Sequence, residues 1–301
     1  MVIATCAALW GCSGNQTDQN GLGKSRVGDS GVGSDDGTIQ TEDSGADSED
    51  SSVGAGDIAA EPVDSGLNPK VAPGGNFDLS AWQLQEPVGS PGSPTEIPPA
   101  KLEGPNGYQD SYFYTDPTDG AMTFWDPEDG VTTANSSYPR SELREMGSNG
   151  AGSNWPIAGT NILSATLEVV NVPDHVCVGQ IHIGAPIEAG VADSTKPLLE
   201  LYYGASGDIV LGIENSPSGG QATYPVATVP LGTKFSYSIQ LTGSGAITLT
   251  VNGSATTYDM PTSFSGYGMY FKAGDYDQSA GSDAGVGATV KFYALEVSHT
   301  S

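Results

Sequence analysis

From about residue 76 onward, the chain alternates apolar and polar residues over short segments, most of them separated by Gly, Asn, Asp or Pro. No window repeats its apolar residues every 3.6 positions, as an amphipathic helix would. Many short alternating segments with turns between them are typical of β-sandwiches and barrels. Ten strands are predicted, at 121–125, 138–146, 162–172, 178–183, 198–203, 209–214, 235–241, 246–251, 269–278 and 289–297.

These strands predict one all-β domain over residues 76–301, a length that suits a single hydrophobic core. We expect a single-domain antiparallel β-sandwich of the jelly-roll type. The 42 glycines and the 15% share of charged residues also disfavour helices. A helix is expected only near 93–101, where the prolines oppose it.

Two segments precede this domain. Residues 1–12, MVIATCAALWGC, are apolar and uncharged, and they look like the end of a bacterial lipoprotein signal peptide with Cys12 as the lipidated residue. A chance apolar start is the alternative. Residues 13–75 are rich in Gly, Ser and Asp, so we expect a disordered acidic linker. The protein is therefore predicted to be a secreted or cell-surface (outer-membrane) bacterial lipoprotein, with a lipid anchor as its one membrane contact.

The composition restricts the partners. The chain has 36 acidic and 10 basic residues, a formal net charge of -26. This charge excludes a nucleic-acid binder that relies on general phosphate attraction, and it argues against docking on an anionic membrane through a basic patch. Of the three cysteines only Cys177 falls in the predicted domain, so neither a structural disulfide nor a cysteine-based zinc site is expected. We expect a monomer.

Three predicted strands carry unusual polar side chains on one face, because residues two apart on a strand point the same way. Each set alone is better explained as a solvated outer face, where charge pairs contribute little. Other polar faces of this chain are built from Ser, Thr, Asn and Asp, so the sets together indicate a groove for an anionic ligand. The sets are Arg140, Glu142 and Arg144; Gln180 and His182; and Tyr270, Lys272, Tyr276 and Gln278.

These strands resemble the three signature motifs of the alginate lyases of polysaccharide lyase family seven. The resemblance extends over about 76–300 and includes 77–87 and 120–136. It implies a jelly roll with a concave substrate groove and cleavage of alginate by β-elimination. The motif segments are Tyr138-Pro139-Arg140-Ser141-Glu142-Leu143-Arg144-Glu145, Gln180-Ile181-His182 and Tyr270-Phe271-Lys272-Ala273-Gly274-Asp275-Tyr276-Asp277-Gln278.

The residue types suit this chemistry. Elimination removes the poorly acidic C5 proton of a uronate, so the enzyme must neutralise the adjacent carboxylate. The resemblance assigns that task to Arg140 and Gln180, and proton transfer to His182 and Tyr276. Tyr276 would be the acid, and also the base where the C5 proton lies on the side of the leaving group. No metal and no cofactor is expected, because the Arg and the amide take the role that a cation plays in other lyases.

Five further residues are expected to position the catalytic arginine, bind neighbouring uronates or support the site. They are Glu142, Arg144, Lys272, Tyr270 and Gln278.

Five other residues carry expectations about the groove, the substrate preference and the remaining histidines. Asp275 and Asp277 flank the catalytic tyrosine, and by alternation they should point away from the groove. Ile181 is associated in the family with activity on guluronate-containing blocks, so we expect the enzyme to prefer those blocks. His175 and His299 are expected in an exposed turn and at an exposed terminus.

Three alternatives stand beside the alginate lyase. A lyase for another polyuronate, such as glucuronan, is not visibly selected against by the motifs. A non-catalytic uronate-binding module on the same fold would need the groove but not the proton-transfer pair. A glycoside hydrolase would need two carboxylates flanking the bond, and Glu142 is the only acid on the polar faces named above.

Overall fold

The computed structural model describes residues 66–279 and 281–301. The predictions for residues 1–12 and for most of 13–75, including lipidation of Cys12, lie outside the described residues. The described ranges contain two four-residue helices, α1 (Pro73–Asn76) and α2 (Pro99–Leu102), and a 3-10 turn at Thr262–Phe264. Their strands β1 to β15 are Trp82–Ser90, Ser93–Ile97, Phe113–Thr115, Met122–Pro127, Ser141–Glu145, Thr160–Asn171, His175–Pro186, Pro197–Gly204, Asp208–Glu214, Gln221–Thr228, Phe235–Thr242, Ala246–Val251, Ser254–Asp259, Tyr267–Asp277 and Gly287–Thr300.

The strands form two antiparallel sheets. Sheet A has eight strands in the order β10-β9-β8-β7-β14-β5-β1-β2, and sheet B has seven in the order β13-β12-β11-β6-β15-β4-β3. Neither helix is long enough to cross a membrane, and no membrane-spanning helix occurs among the described residues. The predicted all-β antiparallel sandwich is confirmed.

The core lies between the sheets and follows from the period-two pattern of the strands. In β11, buried and half-buried residues alternate from Phe235 onward, so one face of the strand turns inward. Phe124 of sheet B packs between Phe113 and Phe292 with ring centroids 5.2 and 5.4 Å apart. Each such fully buried side chain stabilises the fold by about 1.5–3 kcal/mol relative to its exposed state.

The ten predicted strands are all present, and the strands that sequence reasoning missed are mostly sheet edges. Both edges of each sheet were missed, namely β10, β2, β13 and β3, together with β1. The edge strands β2, β10 and β13 bury almost no side chain, so they lack the apolar alternation that marks an inner strand. The predicted helix near 93–101 is only partly right, because Ser93–Ile97 is a strand and the helix is confined to Pro99–Leu102.

Ordered structure begins before residue 76, the predicted start of the domain. Ala72 is buried, and its amide donates to the Pro105 carbonyl at 2.9 Å. The Asn76 side chain donates to the carbonyls of Asn68 and Gly120. The last ten residues assigned to the linker are therefore part of the folded unit.

Candidate active site

The three polar motifs lie on adjacent strands of sheet A. Strand β14 lies between β7 and β5, and Lys272 is opposite both Gln180 and Arg144. Tyr270 is opposite His182. Leu143 and Ala273, which alternate with these positions, are fully buried in the core. The predicted polar residues therefore share the face of sheet A that is turned away from sheet B, called here the outer face.

Glu142 is the hub of the outer face. Its side chain is fully buried, and its Oε1 accepts a hydrogen bond from Gln180 Nε2 at 2.5 Å. Its Oε2 contacts the Lys272 ammonium and lies 3.4 Å from Arg140 Nη1. A carboxylate enclosed by an amide and two cations orients those groups, and it has no free side to meet a substrate anion. Glu142 therefore acts as a positioning residue.

Arg140 connects this hub to Tyr276. The Arg140 guanidinium lies over the Tyr276 ring, 3.8 Å from its centroid, and Nη2 donates to Ser136 Oγ at 3.0 Å. The same Ser136 Oγ lies 3.0 Å from the Tyr276 hydroxyl. Tyr138 packs edge-on against Tyr276 with ring centroids 6.4 Å apart. The hydroxyl of Tyr276 is thus held next to a cation whose other end is fixed by Glu142.

Electrostatics favour a neutral, proton-bearing Tyr276. Burial raises the pKa of its phenol, although the Arg140 charge and the hydrogen bond with Ser136 act in the opposite direction. Burial opposes the charge of Arg140, but the combined attraction of Glu142, Tyr276, Asp126 and Glu200 outweighs it and raises the guanidinium pKa. At neutral pH the site therefore holds a fixed cation beside a phenol that can donate a proton.

His182 is neutral and has one free nitrogen. Its Nδ1 lies 2.9 Å from the Ile183 carbonyl, which can only accept, so Nδ1 carries the proton and Nε2 keeps a lone pair. Burial, followed by the Lys272 charge, lowers the pKa of His182 to about 3. The imidazole stacks on Tyr270 with ring centroids 5.0 Å apart. Such a histidine is unprotonated, and so able to accept a proton, over the whole neutral range.

Two more cations border His182. Arg144 places its guanidinium 4.2 Å from the centroid of the Tyr270 ring. Burial and the Arg140 charge lower the pKa of Lys272 to about 8, despite the contact with Glu142. Gln278 lies at the far end of β14 and donates from Nε2 to the Tyr276 carbonyl at 3.3 Å. All nine predicted catalytic and binding residues lie in or beside these three strands.

A glycine separates the two ends of the site. Gly274 is opposite Glu142 and has a φ of +148°, and a Cβ there would lie 2.8 Å from the Glu142 Cα. The register of β14 against β7 shifts between Ala273 and Tyr276, as it does at a β-bulge. Gly274 therefore leaves the outer face without a side chain between Lys272 and Tyr276, at the centre of the polar set.

The family of the chain follows from comparison with known proteins. The family model described as “Alginate lyase” matches residues 77–299. The chain belongs to the alginate lyase family. It is therefore a polysaccharide lyase, and the lyase assignment drawn from the motifs is confirmed.

Solved relatives have the same fold. Alginate lyase A1-II', a member of polysaccharide lyase family 7, is 37% identical, covers 76% of this chain and 99% of its own, and has a TM-score of 0.66. An alginate lyase from Pseudomonas aeruginosa is 35% identical, covers 74% and 100%, and has a TM-score of 0.67. An alginate lyase from Klebsiella pneumoniae is 30% identical over 284 residues and covers 76% of this chain and 91% of its own. The sandwich is the jelly roll of these lyases.

Sequence reasoning missed several residues of this lyase site. Ser136 lies in a loop, and nothing in the sequence indicated that its hydroxyl would bridge Arg140 and Tyr276. Glu200 on β8 is opposite Gln180, and its pKa is raised by burial. Alternation along β8 could have indicated Glu200, but the prediction did not extend the polar face to that strand.

The other two histidines are exposed as expected, with side chains 41% (His175) and 36% (His299) accessible, although both lie in strands. His175 begins β7 and contacts Tyr202 edge-on, with ring centroids 5.4 Å apart. His299 lies near the end of β15, with Nε2 2.9 Å from the buried Glu145. Glu145 also accepts from Trp155 Nε1 and from the Phe271 amide, each at 2.9 Å. His299 thus belongs to a network on the core side of β5.

Three carboxyl groups are buried on the core side of β4 and β14 without enough hydrogen-bond partners. Asp126, Asp275 and Asp277 are fully buried, and Asp275 has no hydrogen bond to either oxygen. Burial raises the pKa of Asp275, and Asp126 and Asp277 raise it further. No group of three or more His, Cys, Asp or Glu side chains within residues 66–279 and 281–301 is arranged to hold a metal ion. Because Asp275 and Asp277 are buried on the core side, both aspartates that flank Tyr276 point away from the outer face.

Proposed function

We propose that this lyase cleaves alginate at 4-linked uronates by β-elimination on the outer face of sheet A. The observation that carries the proposal is a neutral His182 with a free Nε2 and a protonated Tyr276 on the same face as a glutamate-fixed guanidinium. These are the base, the acid and the charge neutraliser that the reaction needs.

The proposed step conserves atoms and charge. Arg140 and Gln180 bind the uronate carboxylate and stabilise the negative charge that develops when the C5 proton leaves. His182 Nε2 accepts that proton; where the proton lies on the side of the leaving group, an ionised Tyr276 accepts it instead and then passes it to O4. The C4–O4 bond breaks, a C4=C5 double bond forms, and Tyr276 donates a proton to O4.

Relatives support this assignment of roles. One structure of alginate lyase A1-II' is of a Tyr-to-Phe variant in complex with a product written GGG. Another has both a His-to-Asn and a Tyr-to-Phe replacement and is in complex with a substrate written GGMG. Replacing one tyrosine and one histidine is what would preserve a substrate if those residues transfer its protons.

Tyr276→Phe is the test. The variant should retain alginate binding and lose about 10²–10⁴-fold in turnover, because the proton donor is gone and the ring under Arg140 remains. The measurement is the ultraviolet absorbance of unsaturated products, with binding followed by calorimetry. Tyr224→Phe, at an exposed edge-strand tyrosine, is the matched control and should behave as wild type. Unchanged turnover in Tyr276→Phe would refute the assigned acid.

The finer substrate preference is also a proposal. We infer preference for guluronate-containing blocks, with Ile181 as the associated residue. Ile181 is fully buried, opposite Leu199 and Phe271, so it can affect the substrate only by placing its neighbours Gln180 and His182. Mass spectrometry of digests of polyguluronate, polymannuronate and glucuronan, for wild type and Ile181→Val, tests this preference. Faster digestion of glucuronan than of either alginate block would favour the alternative polyuronate lyase.

The cellular setting remains a proposal from the sequence. We propose lipidation at Cys12, a cell-surface or secreted location and a monomeric enzyme. Labelling with a radioactive fatty acid in wild type and Cys12→Ser tests the anchor. Light scattering of the purified protein tests the monomer.

A further inference from the structure

Glu200 extends the row of charged groups across the outer face. Residues at equivalent register positions on β5, β14, β7 and β8 are Arg144, Lys272, Gln180 and Glu200. Adjacent strands lie about 4.8 Å apart, so Glu200 is one strand from Gln180 and about 10 Å from Lys272. Across these four strands the side chains therefore change from cations to an amide and then to a carboxyl, over a distance that a few sugar units can span.

The orientation of the Glu200 carboxyl is fixed by its neighbours. Tyr202 donates its hydroxyl to Glu200 Oε2 at 2.5 Å, and Gln221 Nε2 donates to the same oxygen at 3.0 Å. Gln221 also donates to the Tyr202 oxygen at 3.1 Å. It lies over Gly212, where a Cβ would come within 2.4 Å of the Gln221 side chain.

The second oxygen of Glu200 is available. The hydrogen bonds to the carboxyl all reach Oε2, and Oε1 is not one of the buried oxygens without a partner among the described residues. Oε1 therefore keeps contact with solvent although the residue is 8% exposed. The Glu200 charge also acts on Arg140 and Tyr276, which places the carboxyl in the same electrostatic environment as the catalytic groups.

We propose that Glu200 is a specificity-determining residue that keeps uronate carboxylates away from the β8 side of the site. Hydrogen bonds from Tyr202 and Gln221 favour the ionised form of Glu200 against the effect of burial. A carboxylate bound opposite Oε1 then meets a like charge, whereas one bound near Arg140, Arg144 or Lys272 meets a cation. The protein therefore contacts the carboxylates of the bound polymer over β5, β14 and β7, and its neutral groups over β8. This inference rests on the proposed polyuronate lyase function.

The test compares Glu200→Gln with Glu296→Gln. Both remove one negative charge, but Glu296 is exposed on β15 of sheet B. Glu200→Gln should lower KM for polyuronate about three- to tenfold with little change in kcat, because the amide keeps the hydrogen bonds and loses the repulsion. Glu296→Gln should leave KM within about twofold of wild type, because exposed charges at long range are screened.

Additional variants and substrates separate a specificity role from a structural one. Glu200→Asp should keep the KM of wild type, since the charge remains. Oligouronates of increasing length should show the lower KM of Glu200→Gln only above the length that reaches β8. Should Glu200→Gln not fold, Glu200→Ser removes the same charge from a smaller side chain, and a wild-type melting temperature qualifies it for the comparison.

The possible outcomes are distinct. A raised KM in Glu200→Gln, or one equal to that of Glu296→Gln, overturns the inference while leaving the lyase function intact. A wild type that produces no unsaturated sugar from any polyuronate overturns the proposed function itself. A lower KM at short and long lengths alike also contradicts the inference, because the effect would then be one of overall charge.

Discussion

The charged groups on the two faces of β14 have opposite surroundings: those on the outer face are paired, and those on the core face are not. On the outer face, Lys272 and its neighbour Arg140 are both joined to the buried Glu142. On the core face, Asp275 and Asp277 have buried oxygens without hydrogen-bond partners. The same backbone thus carries a compensated polar cluster on one side and uncompensated carboxyl groups on the other. The difference indicates that Glu142 fixes the charges used in catalysis, whereas the core carboxyls remain buried by holding protons.

Glu142→Gln should remove the compensation on the outer face and have the largest effect. Two buried cations would lose their shared counterion, which should lower the free energy of unfolding by about 3–5 kcal/mol. We also expect kcat/KM to fall at least about 100-fold, since Arg140 and Gln180 lose the group that orients them. Denaturant unfolding and initial rates measure the two effects. Glu103→Gln, at an exposed position, is the control. A stable and active Glu142→Gln would contradict the role of the hub.

The pH profile should reveal the ammonium on the outer face. The pKa of Lys272 is about 8, and that of His182 is about 3. As pH rises through about 8, Lys272 loses the charge that attracts uronates, so kcat/KM should fall by up to about tenfold per unit. Between about 4 and 8 the base is free and no loss from His182 is expected. In Lys272→Arg the alkaline loss should move to higher pH, because guanidinium stays charged. An alkaline limb unchanged in Lys272→Arg would assign it to another group.

Asp275→Asn should remove an ionisable group that is buried without hydrogen-bond partners on the core face, and it should have the smallest effect on activity. Burial raises the folded-state pKa of Asp275 and Asp126, and it raises that of Asp277 to about 6. Unfolded carboxyls titrate near 4, so the folded state binds more protons as pH rises above that value, and stability falls across the interval.

The amide cannot ionise, so Asp275→Asn should raise stability at pH 8 and change it little near pH 4. Thermal unfolding at several pH values measures the difference. Asp129→Asn, at an exposed residue in the loop after β4, should show no such pH dependence. A destabilised Asp275→Asn at pH 8 would mean that the carboxylate is ionised and compensated.

Sequence reasoning succeeded where a strand has one buried face. Period-two alternation gave every inner strand except β1, and the same alternation put Arg140, Gln180, His182 and Tyr276 on one side. It failed at the edges, where β2, β10 and β13 expose most residues and so show no pattern.

Local sequence also could not reveal contacts made across strands or from loops. The bridge from Ser136 to Tyr276 joins residues 140 positions apart, and the contact of His299 with Glu145 joins residues 154 apart. The hub role of Glu142 was similarly hidden. Its spacing indicated only a shared face, whereas its complete burial shows that it meets other side chains and not solvent.

The buried thiol of Cys177 makes the catalytic sheet observable in solution. Cys177 is the one cysteine within the described ranges, is fully buried on β7 opposite Tyr276, and has a pKa raised by burial. A thiol-reactive reagent can reach it only when the packing over β7 opens, and that strand also carries Gln180 and His182. Pulse alkylation followed by peptide mass spectrometry would therefore time the opening of the catalytic strand separately from unfolding of the whole domain.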